Sequence, residues 1–222
     1  MRILAACGLF LMAVSLSGCN IAINAVQGSG QLATDVRDVS EFQSIRLYTS
    51  VDVVVQVGES TTLEVEGDDN LCELISTEVS GDGWLTISSN KSFSTRNPIT
   101  VRITTPSLEN VELAGSGDIT VEGLTGDRFD AQVSGSGDII ASGTADRIEA
   151  AVAGSGSIDM SELKAAVADA TVSGSGDIIV CANKEVTATV SGSGEIEYSG
   201  HSGQKPDVST TVNGSGDVSA RH

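Results

Sequence analysis

Five acidic residues recur at nearly even spacing in the C-terminal half of the chain, each directly after a Gly-Ser-Gly triplet. They are Asp118, Asp138, Asp177, Glu195 and Asp217. Carboxylates in register could share a hard cation such as Ca²⁺, which prefers oxygen ligands. The simpler interpretation is that each acid accepts hydrogen bonds from backbone N–H groups at a turn, as Asp generally does. Glycine-rich calcium rolls use a nonapeptide repeat that this chain lacks. We therefore predict no cofactor and no metal site, with calcium at these acids as the alternative.

The triplets themselves set the period of the chain. The steps between the first glycines of six successive triplets are 20, 19, 20, 18 and 22 residues, and the third triplet is followed by Ser157 instead of an acid. A near-constant period of this size indicates a repeat architecture, in which each unit buries its apolar face only by stacking on its neighbours. We expect the glycines to supply positive φ or close backbone approach at tight corners. They are Gly115, Gly117, Gly135, Gly137, Gly154, Gly156, Gly174, Gly176, Gly192, Gly194, Gly214 and Gly216.

Apolar residues form columns on both sides of each corner. One column precedes the triplet (Leu113, Val133, Val152, Val172, Val190, Val212) and another follows the acid (Ile119, Ile139, Ile158, Ile178, Ile196, Val218). Alternation with a period of two places one face of each strand inward. The sequence therefore predicts an all-β fold, a parallel β-helix or β-solenoid of ~20-residue coils stacked about 4.8 Å apart. The general preference for right-handed crossovers predicts a right-handed winding.

The first half of the chain is less regular. Gly81-Asp82-Gly83 predicts a hairpin, and spacing of apolar residues through Leu71, Leu74 and Ile75 predicts one short helical turn capped by Asp69 or Asn70. The segment from Thr49 to Val53 resembles a degenerate corner. We expect one continuous domain whose irregular portion covers one end of the solenoid. The other end is expected to be blunted by charge or to make a homo-oligomeric contact.

The N-terminus carries an export signal. An apolar run ends in Leu16-Ser17-Gly18-Cys19, which resembles a bacterial lipobox, and it is too short to span a bilayer as a helix. We predict a lipoprotein signal peptide at residues 1–18, a lipid anchor on Cys19, a flexible tether at 19–38 and the solenoid domain at 39–222. Asn20 suggests an outer-membrane lipoprotein, because its inner-membrane counterparts carry Asp there. The periplasmic face is favoured and surface display is the alternative.

Charge and composition limit the classes of molecule that the protein could bind. The formal net charge of -18 would repel a nucleic-acid backbone, and no basic cluster attracts anionic lipid. We therefore expect membrane attachment through Cys19 alone, an unknown protein or glycan partner, and no nucleic acid. Cys72 and Cys181 are expected to be small buried hydrophobes, with a disulfide between them as the alternative.

Catalysis is the competing hypothesis. β-Helix folds include polysaccharide-cleaving enzymes, which need positioned acids and usually aromatic platforms for sugars. Aromatic residues make up only 3% of this chain, and the acids outside the repeat pattern, Asp127 with Asp130 and Asp146 with Glu149, are expected to be solvated loop residues. His201 and His222 have no second ligand at zinc spacing. We predict a protein that is not an enzyme, with a carbohydrate-active β-helix enzyme as the alternative.

The repeated Gly-Ser-Gly-Asp-Ile phrase, together with Val51–Glu59 and Leu63–Leu71, resembles a bacterial family called putative auto-transporter adhesin, head GIN domain. The resemblance covers about Val39 to Ala220. It implies a lipoprotein or secreted β-helical domain that acts as an adhesin-like or scaffolding module. Ser157 and Glu195 depart from the repeated Asp, so the acid is a variable part of the pattern.

Overall fold

The structure, a computed structural model, describes residues 25–221, which hold one short helix and seventeen strands. The helix is α1 (Asp69–Cys72). The strands are β1 (Val26–Gln27), β2 (Leu32–Arg37), β3 (Ser44–Leu47), β4 (Asp52–Val57), β5 (Thr62–Asp68), β6 (Ile75–Val79), β7 (Trp84–Ser89), β8 (Phe93–Ser94), β9 (Thr100–Thr105), β10 (Asn110–Leu113), β11 (Ile119–Val133), β12 (Ile139–Val152), β13 (Ile158–Val172), β14 (Ile178–Val190), β15 (Glu195–Ser199), β16 (Asp207–Val212) and β17 (Asp217–Ala220).

The C-terminal half is a parallel β-solenoid, as the triplet period predicts. Strands β11 to β14 pair in parallel with their copies in the neighbouring coils, so that Ile119, Ile139 and Ile158 lie side by side. Val133, Val152 and Val172 form a second column with the same register. Side chains in both columns are buried as far as the coil of β14, and together with the first half they build one continuous core. The predicted fold class and coil length are confirmed.

The order of the coils in the stack differs from their order in the chain. Strands β3 and β4 form a coil with the segment Thr49–Val51 as its corner. The next coil along the chain stacks on one side of this coil, and all later coils stack on its other side. Strands β7 and β9 pair beneath β3 and β4, whereas β10 and β11 pair above them. The chain therefore builds its second coil first, then the terminal coil, and then the rest of the solenoid.

Antiparallel strands cover the terminal coil. β6 pairs with β7 through the predicted hairpin, and β5 pairs with β9 and also with β2. The helix α1 connects β5 to β6 and buries Leu71 and Cys72 against the core. The irregular first half thus caps one end of the solenoid, as predicted. The predicted helix cap is wrong, because Asp69 and Asn70 lie within α1 and Asp68 takes the N-cap position without a capping hydrogen bond from its side chain.

The buried carboxylate of Asp68 ties the capping elements together. It accepts hydrogen bonds from the backbone N–H groups of Gly30, Arg96 and Asn97, and from the side-chain amide of Asn97. These bonds, the one from Arg96 foremost, hold the pKa of Asp68 below its ordinary value. The sequence gives no sign of this role, because the partners of Asp68 lie 28 to 38 residues away along the chain and no local pattern marks such an acid.

The predicted flexible tether is wrong for residues 26–37. These residues form β1, which pairs with β8, and β2, which pairs with β5 over six residue pairs. Strand β2 is an edge strand, in which one face is exposed (Leu32, Thr34 and Val36) and the other is half-buried (Ala33, Asp35 and Arg37). The predicted signal peptide, Cys19 and the first residues of the predicted tether lie outside the described residues.

Both cysteines of the domain are free and buried, which confirms the simpler expectation. Burial raises the pKa of the Cys72 thiol. Among residues 25–221, no helix is long and apolar enough to cross a membrane.

Candidate functional site

The corner glycines are required by close stacking of the backbone. A Cβ atom on Gly135 would lie 1.9 Å from the carbonyl oxygen of Gly115, and one on Gly137 would lie 2.0 Å from that of Gly117. The same contact recurs from coil to coil, and the first triplet stacks in this way on Thr49 and Val51 of the degenerate corner. The expectation of close approach is confirmed. The expectation of positive φ is wrong for all corner glycines except Gly214, whose φ is 144°.

The repeated acids form a ladder of hydrogen bonds between coils. A side-chain oxygen of Asp118 accepts from the backbone N–H of Asp138 at 2.9 Å, and one of Asp138 accepts from the N–H of Ser157 at 2.7 Å. Asp52, at the degenerate corner, does the same for Asp118 at 3.1 Å. Each carboxylate thus holds the corner of the next coil, so the turn-capping interpretation is correct in kind, but the cap acts between coils.

The ladder has a gap and then resumes. Ser157 has no carboxylate to offer, and the next bond runs from the N–H of Glu195 to Asp177 at 2.8 Å. The longer side chain of Glu195 accepts instead from the hydroxyl of Ser219 at 3.1 Å. In the described part of the chain, no group of three or more Asp, Glu, His or Cys residues is arranged to hold a metal ion. The structure therefore gives the ladder acids a role in joining coils.

The acids outside the repeat pattern lie on the outer face of the sheet, among arginines. Arg128 donates to both carboxylate oxygens of Asp130 at 2.8 Å and to Glu149 at 2.8 Å, and Arg147 pairs with Asp169. The hydrogen bond with Asp130 raises the pKa of Arg128 above its ordinary value. Two of the four acids weighed as catalytic candidates, Asp130 and Glu149, are thus ion-pair partners.

Trp84 lies at the capped end of this outer face. The guanidinium of Arg46 is 4.1 Å from the centre of its ring, and Arg46 also bonds Glu112 at 2.8 Å. A guanidinium over the face of an indole ring is attracted by the negative charge of that face. The aromatic residue and the two flanking charges therefore form a fixed patch.

A groove runs beside the corners at the capped end. It has a volume of about 540 Å³ and is lined by Tyr48, Ser50, Lys91, Phe93 and Ser116 among others. Tyr48 is half exposed, and the turn that carries Lys91 is held by the hydroxyl of Ser89, which donates to the Lys91 carbonyl at 2.8 Å. The groove combines aromatic surface with hydroxyl groups, which is suited to shallow polar ligands.

The opposite end of the solenoid is open. All six residues of β16 are exposed, and each of β16 and β17 has a strand partner on one side only within residues 25–221. A depression of about 330 Å³ lies at this end, between Tyr198, Pro206 and Val208. The open end is thus the part of the surface where core columns reach solvent.

Fold and surface together define a parallel β-solenoid with one capped end, one open end and a polar outer face. The family model described as "Putative auto-transporter adhesin, head GIN domain" matches residues 41–202, and the chain belongs to this family. The predicted family membership is confirmed.

Several solved structures are similar to this chain. A putative adhesin from Bacteroides fragilis is 30% identical, with a TM-score of 0.73, over 89% of this chain and 100% of that one. A putative lipid binding protein from Parabacteroides distasonis is 26% identical, with a TM-score of 0.58 and the same coverage. A putative adhesin from the same species is 23% identical, with a TM-score of 0.60 over 89% and 100%, and shows the fold alone. No curated protein matches the chain.

Proposed function

We propose that the protein is a non-enzymatic lipoprotein of the cell envelope that binds or scaffolds through the surface of its β-solenoid. The observation that carries this proposal is the use of the surface acids. The ladder acids bond the next coil, and Asp130, Glu149 and Asp169 pair with arginines. An enzyme that cleaves polysaccharides needs an acid and a base held ready for substrate. A rigid face on which the ladder acids, Asp130, Glu149 and Asp169 are already bonded is better suited to many shallow contacts with a protein or a glycan.

The family and the similar structures support a binding role, since they are described as adhesins or as lipid binding. Binding is tested by measuring retention of the purified protein on immobilised envelope polysaccharides and on a glycan array. The matched variants are Trp84→Ala, on the outer face, and Tyr48→Ala, in the groove. Loss of retention in one variant locates the binding surface. If the natural protein is retained on no glycan, the partner is inferred to be a protein.

The competing enzyme hypothesis is tested on the same polysaccharides. The variants Asp130→Asn and Glu149→Gln keep the shape of each side chain and remove its charge. We expect that neither the natural protein nor the variants cleave these polysaccharides. Cleavage that a single one of these substitutions abolishes would replace the binding proposal with a carbohydrate-active enzyme.

Attachment to the membrane is proposed to depend on acyl chains on Cys19. Multiple acyl chains give a stable anchor that one chain does not. The variant Cys19→Ala is expected to move the protein from the membrane to the soluble fraction, whereas the control Cys7→Ala, inside the predicted signal peptide, leaves it bound. Mass spectrometry of the N-terminal peptide checks the modification itself. Equal membrane retention of both variants would contradict the anchor.

The leaflet is tested by proteolysis of intact cells. The periplasmic face of the outer membrane is the favoured location, in which case the protein is protected until the outer membrane is opened. Digestion from outside would instead support surface display and an adhesive role.

A further inference from the structure

We propose that two copies of this chain join through their open C-terminal ends, and that the resulting dimer carries its lipid anchors at opposite ends. The contact between the ends follows from the packing of the last coil. The bridging arrangement in addition rests on the proposed anchor at Cys19.

The last coil exposes residues at positions that are buried in the coils of β11 to β14. Val208 continues the column of Phe129, Ile148, Ala168 and Val186, and Val212 continues that of Val172 and Val190. The earlier members of both columns are 0% exposed, but Val208 is 38% exposed and Val212 is 44% exposed. The end therefore presents core-type side chains at the spacing at which the next coil would cover them.

The backbone at this end is also prepared for pairing. Strand β16 is bonded on one side to β14, and β17 on one side to β15. Their other edges leave N–H and C=O groups available, which is the arrangement that favours pairing with another chain. At the opposite end, β5 and β6 cover the terminal coil as antiparallel strands. Within the described residues, the open end has no such cover.

The charges at the open end fit a second copy. The formal net charge of the chain is -18, so most surfaces of two copies repel each other. The loop and strands at this end instead carry Lys205 and Arg221 beside Asp207 and Asp217, two charges of each sign, and Arg221 also pairs with Glu197 of its own chain at 3.8 Å. A two-fold axis that sets β16 against β16 of the partner therefore brings together two ends of nearly balanced charge, which repel each other less than the other surfaces do. This balance of charge at the open end, in a chain that is otherwise strongly acidic, is the reason for choosing a second copy as the occupant.

The anchor lies at the far end of the stack. Strand β1 pairs with β8, in the connection between β7 and β9, so Val26 lies at the terminal coil. The seven residue steps from Cys19 to Val26 reach at most about 24 Å. Seven strand spacings separate β7 from β16, which is about 34 Å at ~4.8 Å each. Two copies joined at their open ends therefore hold their anchors on opposite sides. This geometry links two membrane surfaces when the protein is displayed on the cell surface, the alternative to the periplasmic location.

The contact is tested by light scattering after size exclusion, on the mature chain. We expect the mass of a dimer for the natural protein and that of a monomer for Val208→Lys and Val212→Lys, with at least about a tenfold rise in Kd. The control is Val36→Lys, which places the same charge on another exposed edge strand, β2, where Val36 is 68% exposed. Circular dichroism melting checks that each variant is folded. A natural protein that stays monomeric at its highest soluble concentration, or a dimer that survives both β16 substitutions, overturns the proposal.

The bridging arrangement is tested with phosphatidylcholine vesicles that carry the lipidated protein. Flotation measures attachment, and the growth of particle size measures clustering. We expect clustering that Val208→Lys abolishes and Val36→Lys preserves. Protein that fails to float contradicts the lipid anchor but not the contact between the open ends. Coupling Cys19 to a maleimide lipid then tests that contact on vesicles. The coupling is selective, because Cys72 and Cys181 are only 3% and 5% exposed. Attached protein that leaves the vesicles dispersed overturns the bridging dimer.

Discussion

The acid ladder can be separated from a metal site by a pair of substitutions at Asp118. Asp118→Asn keeps an oxygen that can accept from the N–H of Asp138, whereas Asp118→Ala removes it. Both variants lose the charge, so the difference in their free energies of unfolding isolates one hydrogen bond, about 1 kcal/mol. For a domain of this size, that difference corresponds to about 2–4 °C in Tm.

The comparison with the natural protein adds the repulsion between neighbouring acids. Asp118 lies one strand spacing from both Asp52 and Asp138. Two exposed charges about 5 Å apart repel by about 0.8 kcal/mol in water, and salt at physiological strength roughly halves this. Relief from two neighbours therefore offsets the weaker acceptor, and Asp118→Asn is expected to be as stable as the natural protein or slightly more stable. Its advantage should shrink as NaCl is added.

The assay is thermal and urea unfolding followed by circular dichroism, with and without Ca²⁺. The control position is Asp127, whose side chain makes none of the hydrogen bonds or ion pairs found among residues 25–221, and where Asn and Ala should give equal stability. Equal stability of the two Asp118 variants would refute the ladder. A rise in Tm with Ca²⁺ in the natural protein, absent in Asp118→Asn, would establish a metal role in its place.

Three further outcomes are expected. Gly135→Ala should lower the free energy of unfolding by more than about 3 kcal/mol, because its Cβ meets a carbonyl oxygen that cannot move without shifting a coil. A Cβ at Gly81 would meet nothing within 4 Å, so Gly81→Ala should change the free energy of unfolding in urea by less than about 0.5 kcal/mol. The lowered pKa of Asp68 means that its stabilising contribution is fully present above the ordinary carboxyl pKa of 3.8 and is lost as the pH falls through the lower folded-state value. Unfolding between pH 7 and 2 should therefore show a smaller acid-induced loss in Asp68→Asn, and an unchanged pH profile would contradict this assignment. Arg128→Gln should lower the free energy of unfolding by no more than about 1 kcal/mol, because its ion pairs are half exposed, and a larger loss in chemical denaturation would show that the outer charges hold the sheet together.

The solenoid itself could be predicted because its signals are local and repeated. The inward columns through Val133 and Ile139 alternate with polar residues, and burial requires that alternation wherever one face of a strand meets a core. The Gly-Ser-Gly triplets mark the corners, since a Cβ there meets the backbone of the next coil. The column that contains Phe129 keeps the same steps as the triplets, but its members, Phe129, Ile148, Ala168 and Val186, differ more in size than those of the columns through Val133 and Ile139.

The candidate sites were less predictable. Spacing indicated that Asp118 and Asp138 are neighbours, but the direction of each side chain, toward the amide of the next coil, depends on the register of the stack. The pairing of Asp130 and Glu149 with Arg128 depends on the same register. Their separation in the sequence does not decide whether these acids are solvated loop residues or catalytic residues.

By itself, the sequence determined the coil, its corners, its core columns and the family, because each of these is written into every repeat. Only the tertiary structure decided that the coil of β7 and β9 lies beneath that of β3 and β4, that residues 26–37 are strands, and that Asp68 joins the capping elements. These features depend on pairing between segments far apart in the chain. Local alternation makes a strand, but it does not state which edge that strand will join.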